Sequence, residues 1–168
     1  MPATTVNVRA YSHAIAHVTD NILRSFKDIV ARSGMNPAKL VGDWEVLERG
    51  IRKWMETGHL EKVTLEIFNP ITDAPLGFWD VSISYGYTGG DGEFWIDADA
   101  IRYSIQKAGA HPWTTGYRVI VTNKEGRPDV QGWSPTTGRS RSGFAEQRIG
   151  TAIDASGLSG GISYFRKV

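Results

Sequence analysis

The chain has 168 residues, 40% hydrophobic and 11% aromatic, with a formal net charge of +1. That length and composition suit one domain with a real core and exclude a disordered chain. The absence of cysteine excludes disulfides, thiol catalysis and Cys-ligated zinc, while the near-neutral charge gives no reason to expect nucleic acid or membrane as the main partner.

The N-terminus has no charged segment leading into an apolar one, and no run of about 18 apolar residues occurs, so a soluble, cytoplasmic protein is expected. Residues 4–10, "TTVNVRA", read as short, extended and uncapped. Residues 12–33 carry a helical stripe, with Ile15, Val18, Ile22, Phe26 and Ile29 at steps of three and four, stopped at Gly34. A second helix is predicted over residues 43–57, with Asp43 as N-cap, Gly58 as terminator and a buried face of Trp44, Leu47, Ile51, Trp54 and Met55. The period then becomes two. "EKVTLEIFNP" and "LGFWDVSISYGY" read as an antiparallel hairpin turning through "NPITDAP". A glycine-rich loop, a helix over 97–107 and a third strand over 116–123 follow. Residues 124–168 hold eight glycines in 45 residues and seven basic against four acidic side chains, a local +3. Their spaced aromatics, Trp133, Phe144, Tyr164 and Phe165, suggest a tail that packs down. The fold class is α+β, one domain, with a central antiparallel three-stranded sheet and helices on one face. Such a sheet has two open edges, each a template for the tail or for a partner's extended peptide.

Short motifs carry little chemistry. "GLSGG", residues 157–161, spells G-x-S-x-G, but an elbow needs a following helix and a later acid and histidine; only "ISYFRKV" follows, and His13, His17, His59 and His111 all lie upstream. A small hydrolase using Ser159, His111 and an acid is the rival from another class. Asp91, Glu93, Asp97 and Asp99 fail as a calcium loop, because the sixth and twelfth places from Asp97 hold Arg102 and Ala108. His13 and His17 stand four apart without the remaining ligands of a zinc site. Arg139, Arg141 and Arg148 could contact phosphates in a nucleic-acid-binding module, against the plainer expectation of a solvated loop. No catalytic residue, metal or cofactor is assigned.

The blocks "SHAIAHVTDNILRSFKDIVARSG", "DWEVLERGIRKWMETGHLEKVTLEIFNP", "GYTGGDGEFW", "GRPDVQGW" and "GLSGGISYF" resemble, in order and spacing, the bacterial HORMA-domain proteins of CBASS anti-phage operons. The resemblance covers nearly the whole chain. It implies a non-enzymatic, peptide-binding switch: a core over residues 11–123 and a safety belt over 124–168 that wraps around an extended closure-motif peptide. The peptide is then expected to pair with Tyr117, Arg118, Val119, Ile120, Val121 and Thr122. Trp133 and Phe144 become candidate belt anchors. "GLSGG", with Gly160 and Gly161, becomes a flexible joint that lets "ISYF", with Tyr164, dock at the opposite edge. Implied partners are a cyclic-nucleotide synthase of the CD-NTase kind, which the protein would bind and activate, and an AAA+ ATPase that reopens it by engaging a flexible N-terminal segment, residues 1–10, including Val6, Asn7, Val8 and Arg9.

Overall fold

The apolar stripe of the N-terminal third becomes a long helix, α1 (Pro2–Arg32), in the computed structural model, which describes residues 2–87, 93–94, 98–155 and 157–168. Ile15, Val18, Ile22, Phe26 and Ile29 are all buried along it. The helix starts ten residues earlier than periodicity predicts, so residues 4–10 are helical rather than extended. Proline is tolerated in a first helical turn, whose N–H groups have no intrahelical partner, and residues 3–11 contain neither glycine nor proline to break the ladder. The side chains of Val6, Asn7, Val8 and Arg9 lie outside the described residues.

Gly34, at φ 89°, turns the chain out of α1 into a short helix, α2 (Ala38–Gly42), and then α3 (Trp44–Glu56). Asp43 stands at the N-cap position of α3, but its side chain makes no capping hydrogen bond. α2 places Lys39 one turn back, and the Asp43 carboxylate accepts from its ammonium at 2.9 Å instead. Beyond Gly58 (φ 75°) come β1 (Leu60–Phe68), β2 (Pro75–Ser82), β3 (Ser84–Tyr87) and β4 (Glu93–Phe94). Next are α4 (Ala98–Ala108), β5 (Gly116–Asn123), β6 (Phe144–Ala155) and β7 (Gly157–Lys167).

Among the described residues the sheet has seven strands in the order β4-β6-β7-β2-β1-β5, with β3 also paired to β7. The three expected strands form its β2-β1-β5 part, with Leu65 opposite Trp79 on one side and Val119 on the other. The tail supplies what the three-strand expectation lacks. It folds into the β6–β7 hairpin, and β7 pairs with β2, placing Ile162 opposite Val81 and Tyr164 opposite Trp79. "GLSGG" is strand here, paired to β3 and β6, rather than a joint. Gly160 is required by close approach: a Cβ there would stand 1.8 Å from the Ser82 carbonyl oxygen.

Alternation gives the sheet two faces. Val63, Leu65, Ile67, Trp79 and Val81 join α1 and α3 in one continuous core. Phe78 is buried apart from that core, on the face shared with Thr64, Glu66 and Asp80, and the tail covers it.

Candidate functional site

β5 pairs with β1 along one side and is the last strand of the sheet, so its other side has no strand partner among the described residues. Residues 124–143 begin at its end and form a strap. The strap first runs along α3. The Lys124 amide donates to the His59 carbonyl (2.8 Å), Trp54 Nε1 donates to the Pro128 carbonyl (2.7 Å), and Trp133 Nε1 donates to the Val46 carbonyl (2.8 Å). The Trp133 ring meets Trp54 edge to face, with centroids 5.0 Å apart, and lies so close over Gly50 that a Cβ there would fall 2.2 Å from its Nε1.

Within three residues of Trp133 the strap passes the β5 edge to the opposite face. Arg118 reaches out from β5 and donates to Thr136 Oγ1 (2.9 Å) and the Thr137 carbonyl (2.7 Å). Two arginines then fasten the strap to carboxylates, of which Glu66 and Asp80 are buried and Asp73 is exposed. The Arg139 guanidinium pairs with Glu66 and Asp73 while lying 3.6 Å over the Phe68 ring, and its amide donates to Glu66 Oε2 at 2.9 Å. Arg141 donates to both Asp80 oxygens (2.6 and 2.9 Å) and sits 4.5 Å from the Phe78 and Phe165 ring centroids. Burial alone raises the Glu66 carboxyl, but donation from Arg118 and from the amide and guanidinium of Arg139 outweighs it and holds the group below its usual value.

Between strand edge and strap lies a channel of ≈ 540 Å³. Val46, Leu47 and Trp54 from α3, Val119 and Val121 from β5, and Trp133 make its apolar wall. Pro135 and Thr136 close it on the strap side. It can take an extended chain whose backbone adds to β5 and whose alternate side chains face the tryptophans.

Of the β5 residues singled out from the sequence, Arg118, Val119, Ile120 and Val121 line the channel. Thr122 is exposed outside it. Tyr117 is buried and points to α2, its hydroxyl donating to the Asn36 carbonyl (2.7 Å) and accepting from the Leu40 amide (3.1 Å). Trp133 lines the channel, whereas Phe144 opens β6 and packs edge to face on Phe78, 5.3 Å between centroids. Gly161 exchanges hydrogen bonds with the Ser82 hydroxyl (3.1 and 3.3 Å), and Tyr164 packs on Trp79 at 4.5 Å. Arg139 and Arg141 are engaged by carboxylates rather than solvated, and Arg148 is 88% exposed. Ser159 lies within β7 opposite Asp154, with no helix after it, so the elbow geometry is absent. The acidic cluster Asp91, Glu93, Asp97 and Asp99 lies outside the described side chains. Among the described residues no group of His, Asp and Glu could hold a metal ion, and no helix is long and apolar enough to cross a membrane.

The contribution of α3 is what the sequence concealed. Leu47 and Trp54 belong to the buried face read from the spacing and Val46 does not; nothing local ties any of them to a strand 70 residues on.

The chain is an α+β domain whose own C-terminal segment straps one open sheet edge, and solved structures share its overall fold. The chain is similar to a chain of the mitotic checkpoint complex (TM-score 0.72, 11% identity, covering 90% of this chain and 97% of that one). It is also similar to C. elegans HTP-2 bound to the HIM-3 closure motif (0.58, 11%, 77% and 69%) and to the E. coli MS115-1 CdnC:HORMA-deltaN complex (0.50, 11%, 91% and 87%). At such identities the likeness is one of fold. No curated protein matches by sequence. The model of Bacterial HORMA domain 2 matches residues 3–168, and the chain belongs to that family.

Proposed function

We propose that the protein is a non-enzymatic conformational switch that captures an extended closure-motif peptide as an added strand on β5, under residues 124–168 acting as a safety belt. The observation that carries this is the channel between the unpaired β5 edge and the strap. At about 3.3 Å per residue, the stretch from Arg118 to Asn123 accommodates about six peptide residues. That HTP-2 is bound to a closure motif supports the peptide, and the CdnC:HORMA complex supports a cyclic-nucleotide synthase of the CD-NTase kind as the partner bound and activated in cytoplasmic antiviral defence. An AAA+ ATPase engaging residues 6–9 is the proposed opener, since a belt that encloses its ligand needs work to release it.

The test is capture by the tagged full-length chain from its native host, with bound proteins identified by mass spectrometry, beside a Trp133→Ala variant. Recovery of a nucleotidyltransferase and an AAA+ ATPase by the wild type, reduced in the variant, is the expected result. Recovery of nothing, or of nucleic acid alone, overturns the proposal.

A further inference from the structure

An extended chain lying along a strand edge can slide by two residues and still present the same side chains to the same face. The wall formed by Val46, Leu47, Val119, Val121, Trp54 and Trp133 is apolar, so it does little to oppose such a slide. Something polar must set the register, and most polar groups on the channel wall are already spent. Arg118 is bound to Glu66, Thr136 and Thr137. Asp43 is bound to Lys39, Arg127 to Asp129, and both indole N–H groups to carbonyls.

Asn123 differs. It is the last residue of β5, opposite Leu60, in the same alternating row as Val119 and Val121, and it lines the channel. Its Oδ1 is the one buried side-chain nitrogen or oxygen among the described residues with no hydrogen-bond partner. A buried acceptor cut off from both water and protein costs free energy, and such atoms are rare in folded proteins.

Building on the peptide-channel proposal, we infer that Asn123 is the register-setting residue of the site: its side-chain amide turns from the buried position it holds in the free protein, and its oxygen accepts a hydrogen bond from a hydroxyl, amide or ammonium side chain of the bound strand. The period of two then fixes the rest of the motif. Apolar residues two and four positions from that donor face Val121, Val119 and the two tryptophans. The ligand class is a donor-bearing, otherwise apolar extended peptide, read from the Asn123 end of β5.

A phage-displayed library of random decapeptides, panned on the full-length wild type and on Asn123→Leu and Asn123→Asp, tests this. The wild type is expected to enrich one donor position with apolar residues two and four away. Asn123→Leu should keep the apolar positions, lose the donor, and bind the synthetic wild-type consensus peptide roughly tenfold more weakly. Asn123→Asp should keep the position and shift it to Lys or Arg. Free Asn123→Leu should melt no lower than wild type, because an unmet acceptor has been removed. An unchanged consensus on Asn123→Leu, or a free variant melting well below wild type, overturns this inference and leaves the channel standing. No enrichment by the wild type overturns both.

Discussion

Glu66 shows how one side chain can hold a segment that is remote in sequence. It is fully buried, and it accepts from Arg118 Nε at 2.7 Å as well as from the amide and guanidinium of Arg139, 73 residues away. Removing the charge while keeping the shape, Glu66→Gln, leaves two arginines short of a partner; a cost of about 2–3 kcal/mol is expected, measured by urea denaturation at neutral pH. The folded-state carboxyl titrates below its unfolded value of 4.5. Its stabilisation is therefore complete above about pH 4.5 and is lost as pH falls through the lower folded value. Wild type should lose stability as pH falls below 4.5 while Glu66→Gln loses less, so the gap between the two narrows; equal acid slopes would show that Glu66 is not the titrating clasp. The sequence conceals this residue. In "TLEIF" it alternates with Leu65 and Ile67 and reads as solvent-facing, while Arg118 reads as an edge-strand residue and Arg139 as part of a solvated loop, because only the folded-back tail brings them together. Tyr164 and Phe144, by contrast, stood out simply as large aromatics in a glycine-rich stretch.

At the scale of elements, regular periodicity was legible and irregular periodicity was not. α3 and β5 fall where their apolar spacing places them. "ISYFRKV" reads as a strand and is the second half of β7, but β6 and the start of β7 escaped because their alternation is broken by irregularities between Arg148 and Gly150 and between Thr151 and Ile153, and by glycines that contribute no side chain to the pattern. Those glycines have a steric logic that mutation can expose. Gly160→Ala drives a methyl into the Ser82 carbonyl and should destabilise the protein by about 2 kcal/mol or more in thermal unfolding, while Ser159→Ala next to it should be nearly silent in stability and in partner capture. Loss of any activity with Ser159→Ala would instead revive the hydrolase. Gly50 poses the same question on α3. In an open helix, alanine for glycine gains about 1 kcal/mol, but here the added Cβ would meet Trp133. Gly50→Ala should therefore free residues 128–134, seen as faster amide exchange there with β1 and β5 unchanged, and weaken peptide binding by roughly tenfold. Unchanged exchange in the strap would show that Trp133 does not anchor it.

Across the whole molecule, the two ends of the sheet are coupled through the chain. β5 leads into the strap, and the strap leads into β6 and β7, so on the proposed belt reading the channel on one side opens when β7 parts from β2 on the other. Opening the channel to admit a peptide embedded in a longer chain then requires the hairpin to leave β2, however favourable the channel itself is. The absence of cysteine makes this testable with a single engineered cross-link. Gly77 and Arg166 face each other across β2 and β7, and a Cβ at Gly77 meets only ordinary contacts, 3.5 Å from Tyr164. Facing residues of an antiparallel pair lie within the span of a disulfide. The double variant Gly77→Cys, Arg166→Cys should bind an internal peptide sequence, flanked by folded domains, at the wild-type rate when reduced. When oxidised it should bind more than tenfold more slowly, and a complex formed before oxidation should dissociate equally slowly. A short free peptide, able to thread from one end, should be slowed much less. Equal rates in both redox states for the flanked ligand would mean that the channel opens without β7 leaving the sheet, and the moving part would then have to be sought within residues 124–143 alone.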